Sequence, residues 1–127
     1  MLKEAAAIPI RDGLMQSDVS GSIDSYLPLG QRELLQRGIT SIHDIDGVDC
    51  LHAYRKLHDR GELDIRVHKI LRQEQIEDFI RRGIRTHSGD EWISMGPLKL
   101  FADGALGSHT CHMSEAWPGT QDHGMAV

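Results

Sequence analysis

Two cysteines, Cys50 and Cys111, are too few for a disulfide framework, so packing and hydrogen bonds must hold the fold. Aromatic residues make up only 5% of the 127 positions, too few for a platform on which single-stranded nucleic acid could stack. Lys and Arg number 14 against 19 Asp and Glu, and the formal charge of -5 argues against non-specific nucleic-acid binding, which needs a basic face. No apolar run approaches the roughly 20 residues of a membrane span. The opening Met1-Leu2-Lys3-Glu4, followed by a short alanine run, lacks the long apolar core of a secretory leader. Together these absences predict a reduced, cytoplasmic setting with neither nucleic acid nor membrane as partner. The length suits one domain and falls short of a whole (β/α)₈ barrel, which takes roughly 200 residues or more.

Glycine and histidine are what the chain has instead, 13 and 8 residues respectively. Residues 1–28 hold Pro9, Gly13, Gly21 and Ser17, Ser20, Ser22 and Ser25 without a sustained period, and read as an irregular opening segment. Regular structure is expected over 29–103. Leu34 and Leu35 belong to a helix closed by Gly38, and Ile39-Thr40-Ser41-Ile42 reads as a short buried strand. Leu51, Tyr54 and Leu57 mark a second helix closed by Gly61, followed by a strand over 65–71. Ile76, Phe79 and Ile80 mark a third helix closed by Gly83, and Leu98-Lys99-Leu100-Phe101 reads as a last strand opened by Pro97. An Arg-Gly pair closes each helix: Arg37-Gly38, Arg60-Gly61 and Arg82-Gly83. Strands alternating with helices make an α/β fold with a parallel sheet, either part of a barrel or a small doubly wound sheet. Residues 104–127, broken by Gly104, Gly107, Gly119 and Gly124, read as a Gly-rich loop. A partial barrel would expose a sheet edge, through which a homodimer could form.

Parallel α/β folds gather their chemistry at the carboxyl ends of strands. Those ends hold His43 and Asp44, then Lys69 and Arg72, then Asp103. Lys69 and Arg72 read as a solvated or salt-bridged rim. Lys99, flanked by apolar residues, must either snorkel to water or shed its charge. A neutral lysine amine can take up carbon dioxide, and the resulting carbamate is an anionic oxygen donor able to bridge two divalent ions. His109, Cys111 and His112, with His123 further on, offer an alternative set of zinc donors.

The stretch Gly96-Pro97-Leu98-Lys99-Leu100-Phe101-Ala102-Asp103-Gly104-Ala105-Leu106-Gly107-Ser108 resembles a signature of the YtcJ-like metal-dependent hydrolases, a branch of the amidohydrolase superfamily. Residues 38–44 and 54–67 agree with the same family, in the same order, as does the opening Leu2-Lys3-Glu4-Ala5-Ala6. The resemblance implies a central fragment of a metal-bearing (β/α)₈ barrel that hydrolyses a non-peptide carbon–nitrogen bond of a small amide or formamide. It places Lys99 at the lysine that is carboxylated and bridges the metals, with zinc the expected metal. It sets Asp103, Gly104 and His109 at the mouth of the pocket and His43 and Asp44 beside the site. His109 stands where the pattern has an arginine, and no two histidines of this chain are separated by a single residue, so the family's His-x-His pair has no counterpart here. The chain is therefore expected to be inactive in isolation. The competing reading is a small non-catalytic α/β module that binds a ligand or partner.

Overall fold

The computed structural model describes Pro9 and residues 20–127. The chain divides into two compact units, residues 18–99 and, among the described residues, 100–127. The first unit contains α1 (Ser20–Gln36), β1 (Ser41–Asp44), α2 (Val48–Asp59), β2 (Arg66–Arg72), α3 (Ile76–Arg81) and β3 (Ile93–Lys99). No helix among the described residues is long and apolar enough to cross a membrane.

The Arg-Gly repeat has one structural meaning at all three sites. Gly38, Gly61 and Gly83 have φ of 75°, 69° and 66°, the left-handed conformation that a glycine enters without steric cost. In each case the glycine N–H bonds back three residues and the next N–H bonds back five: Gly38 to Leu35 and Ile39 to Leu34, Gly61 to His58 and Glu62 to Leu57, Gly83 to Ile80 and Ile84 to Phe79. This is the Schellman closure, which satisfies carbonyls that the ended helix would leave unpaired.

The strands form a parallel sheet in the order β1-β2-β3, which confirms the alternating α/β reading. Leu51, Tyr54 and Leu57 of α2 and Phe79 of α3 cover one face, packing on Ile65, Val67, Ile93 and Met95. The buried Gln31 of α1 joins this layer: its side-chain nitrogen donates to the Glu62 carbonyl at 2.8 Å, and its oxygen accepts from the Asp64 N–H at 3.1 Å. Both side-chain ends are satisfied, as burial requires.

Three boundaries differ from the sequence reading. The opening segment assigned to 1–28 is helical from Ser20, with Pro28 inside α1; its earlier part lies outside the described residues apart from Pro9. Glycine, serine and proline lower helix propensity locally, but Leu27, Leu34 and Leu35 pack against the core, and that burial outweighs the propensity. The strand expected at 39–42 runs 41–44 and is mostly exposed, because β1 is an edge of the sheet. The last strand begins at Ile93 rather than Leu98 and ends at Lys99. Pro97 sits inside it, at an irregularity where the register passes from Lys69↔Met95 to Leu71↔Leu98. An extra residue on β3 there tolerates a missing N–H, the usual place for proline within a strand.

The unit 100–127 has a single 3-10 turn, Leu106–Ser108, and is tied by cross-links instead of regular structure. Met125 N–H reaches the Thr110 carbonyl, Met113 N–H the His123 carbonyl and Val127 N–H the Ala102 carbonyl, each between 2.8 and 3.0 Å. A Cβ on Gly124 would lie 2.0 Å from the Cys111 carbonyl oxygen, so only glycine lets these segments approach.

Candidate functional site

Alternation along the strands divides the predicted residues between two faces. In parallel register His43 lies beside His68 and His68 beside Ser94, all on the face turned away from the helices. Asp44, Lys69 and Met95 are likewise aligned, on the helix side. After the irregularity in β3, Lys99 pairs with Arg72 and so rejoins the face of His68. Asp44, Arg72 and Lys99 are the last residues of the three parallel strands and share one end of the sheet.

Lys69 does not lie at the rim. It is 1% exposed, the largest fully buried side chain of the described residues, and its Nζ donates to Asp44 Oδ2 at 3.0 Å and to the Asp46 carbonyl. Asp44 also accepts the Asp46 N–H at 2.7 Å and the Tyr54 hydroxyl. Burial, then the negative charge of Asp44, push the Tyr54 hydroxyl well above its ordinary range, and the same two causes raise the Cys50 thiol. This cluster is a charge pair built into the helix side of the sheet, not a pair waiting for substrate. Lys99 is exposed on the opposite face, so the apolar burial that its neighbours in sequence suggest is not found within this chain. Arg72 Nε lies 3.5 Å from Glu74 at the strand end.

The imidazoles of His43 and His68 have centroids 4.9 Å apart, and those of His68 and His87 are 6.4 Å apart. His68 Nδ1 is 2.9 Å from the Ser94 hydroxyl. The sequence reading singled out neither His68 nor His87; the available signal was the polar position of His68 between the inward Val67 and Lys69. A surface hollow lined by Arg55, His58, Ser88, Asp90, Ile93 and Met95 lies by the start of β3, away from the strand ends. There, hydrogen bonds from the Ile93 and Trp92 N–H groups hold Asp90 below the usual carboxylate range.

In the unit 100–127, Asp103 accepts the His112 N–H at 3.0 Å, which fixes the turn that follows the last strand. Gly104 leaves room for Thr110, whose hydroxyl oxygen would lie 2.2 Å from a Cβ at that position. His109 adopts φ 56° and stacks on Trp117 at 4.4 Å. The alternative zinc set is not assembled: His123 Nδ1 is 3.2 Å from the Met113 carbonyl, Cys111 Sγ is 3.7 Å from the Met113 sulfur, and His109 is occupied with Trp117. The loop uses His109, Cys111 and His123 in its own internal contacts, and the donors do not gather around one point. Among the described residues, no group of three or more His, Cys, Asp or Glu is arranged to hold a metal ion.

Residues 1–127, the whole chain, match the model of the amidohydrolase family. The chain belongs to that family. Its fold is similar to an uncharacterized metal-dependent hydrolase from Pyrococcus furiosus, with TM-score 0.83 and 23% identity over 98% of this chain and 27% of that one. A second uncharacterized metal-dependent hydrolase, from Pyrococcus horikoshii, aligns with TM-score 0.78 and 25% identity over 98% of this chain and 26% of that one. This amidohydrolase chain thus spans about a quarter of the length of the two hydrolases it resembles. No curated protein matches it.

Proposed function

We propose that this chain is a segment of a metal-dependent hydrolase, carrying three consecutive strands of a (β/α)₈ barrel. The parent enzyme, in this reading a cytoplasmic one, hydrolyses a small amide or formamide at a carbon–nitrogen bond other than a peptide bond. The observation that carries the reading is the shared carboxyl end of the three parallel strands, where Lys99 lies on the face turned away from the helices. Parallel α/β enzymes place their reacting groups at that end.

In the parent, Lys99 loses a proton and adds carbon dioxide to become a carbamate that contributes oxygen donors to a divalent metal, zinc by family expectation. The exposed face of this sheet is the one such a barrel encloses, and the enclosure supplies the low dielectric that favours the neutral amine. His109, Asp103 and Gly104 shape the mouth of the pocket. His43 backs the site from β1. Asp44, committed to Lys69, supports the strand end without reaching substrate. With no group of three or more His, Cys, Asp or Glu arranged to hold a metal among its described residues, the isolated chain is expected to be inactive and to self-associate through its sheet edges.

The test is metal analysis of the parent protein, coupled to hydrolysis of an N-formyl amine and to a ¹³CO₂-labelled carbon spectrum. Bound metal, activity lost on chelation, and a carbamate signal abolished by Lys99→Ala support the reading. Metal-free protein that binds small ligands without turning any over would establish the non-catalytic module instead.

A further inference from the structure

The two edges of the sheet are not alike. At β3, the Val67 N–H bonds the Trp92 carbonyl, so Trp92 and Ser94 turn their main-chain groups towards β2, while Ile93 and Met95 turn theirs outward. All four of those outward groups are occupied by residues 87–90. The His87 N–H reaches the Met95 carbonyl at 2.7 Å, and the Met95 N–H reaches the Ser88 carbonyl at 2.8 Å. The Asp90 N–H reaches the Ile93 carbonyl at 3.1 Å, and the Ile93 N–H reaches Asp90 Oδ1 at 2.8 Å. His87 at φ 66° and Gly89 at φ 112° bend the chain into this strap. It seals the first half of the β3 edge, as native proteins seal edges that would otherwise pair. Pro97, with no N–H to offer, lies in the remainder.

β1 has no such strap among the described residues. The Arg66 N–H bonds the Thr40 carbonyl, so Thr40, Ile42 and Asp44 face β2, and Ser41 and His43 turn their N–H and C=O groups outward. No described residue bonds those four groups. The usual guards of an open edge, lysine and proline, are absent from residues 39–45. The one acidic residue there, Asp44, is neutralised by Lys69. Two exposed isoleucines flank the strand instead, Ile39 at 40% exposure and Ile45 at 43%.

We propose that a second copy of this chain pairs antiparallel on β1, about a two-fold axis at Ile42, and so doubles the three-stranded sheet. In this register Ser41 exchanges both main-chain bonds with His43 of the partner subunit, and His43 does the same with Ser41 of the partner subunit. All the open groups of both copies are then satisfied at once. The same register sets Ile42 opposite its own counterpart. It also sets Ile39 opposite Ile45 of the partner subunit, because the two lie three positions either side of Ile42. Cross-strand apolar pairs of this kind stabilise a sheet, and no like charges are opposed. The contact is self-complementary and the strap blocks β3, so assembly closes at two copies. A closed barrel would fill this edge with a strand of its own, so the dimer belongs to the 127-residue chain. It depends on the sheet alone and not on the hydrolytic reading.

Sedimentation equilibrium of the 127-residue chain across a concentration series tests this proposal. Expected is a monomer–dimer equilibrium with no larger species. Ser41→Pro removes an outward N–H from each copy without touching the bonds to β2, and weakens association at least about 10-fold. Ile45→Lys sets a charge opposite Ile39 and weakens it by a similar factor, without the backbone constraint of a proline. In a mixed sample of ¹³C-labelled and unlabelled chain, intermolecular NMR contacts join Ile39 to Ile45 and Ile42 to its counterpart. A chain that stays monomeric to millimolar concentration, or a dimer that survives both substitutions unchanged, would overturn the proposal. So would oligomers that grow past two copies, because they require pairing at the strapped edge as well.

Discussion

The two faces of the three-stranded sheet are built from alternate residues of the same strands, yet they follow opposite rules. Towards the helices, even a charged residue is fully enclosed: Lys69 is 1% exposed and spends its donors on Asp44 and the Asp46 carbonyl. Away from the helices, His43 and Lys99 are exposed, and the half-buried His68 has Nδ1 beside the Ser94 hydroxyl and Nε2 packed against Gly96. Side chains on the first face are set by packing and full satisfaction, which confers stability. On the second face polar and charged side chains are exposed or half-buried, which is what a binding or reacting surface needs.

That contrast is sharpest at Lys69. Lys69→Ala strands the Asp44 carboxylate in the core, and the expected loss is about 3–5 kcal/mol of unfolding free energy, measured by urea denaturation. His43→Ala, next in sequence to the pair's acid but on the other face, should change stability by less than about 0.5 kcal/mol. Equal losses at the two positions would erase the distinction between the faces.

Gly96 offers a smaller effect on the second face. Gly96→Ala pushes against the His68 ring and should cost about 1–3 kcal/mol. Most of that cost should vanish in the Gly96→Ala, His68→Ala double variant, because the clash is with a ring tip and not with backbone. A cost that persists without His68 would mean that the backbone of β3, rather than contact with the histidine, requires glycine at this position.

The smallest effect is a dependence on pH. Tyr54 titrates higher in the fold than its ordinary 10.0, so between those two values the folded chain holds a proton that the unfolded chain has lost. Stability from this source is complete below about pH 10 and declines as pH rises above it. Tyr54→Phe should flatten the alkaline limb of a thermal-unfolding profile, and an unchanged limb would assign it to the Cys50 thiol, which is raised by the same causes.

Helix ends were the most legible feature of the chain. The three Arg-Gly pairs read as stop signals, and each proved to be a Schellman closure, because a glycine at positive φ is a local requirement that no distant residue can replace. The α/β alternation followed from the same punctuation. The start of α1 and the extent of β3 were obscured because serine, glycine and proline carry weak local preferences, which the packing of Leu27 and of Ile93 overrode. Of the candidate site, Arg72 was placed near a strand end from sequence and is the last residue of β2, whereas Lys99, expected inside a strand running to Phe101, is the last residue of β3. The neighbours of His68 were not legible, since His43, Ser94 and His87 meet it only through strand register and one unusual backbone angle.

The sequence by itself determined where the helices stop, that strands alternate with them, and to which family the closing signature points. Tertiary structure alone decided which lysine is buried, which histidines meet, and that the donors of the Gly-rich loop do not converge. The physical reason is range. Backbone preference and turn chemistry act within about five residues, whereas burial and ligation depend on strands that register brings together across tens of residues.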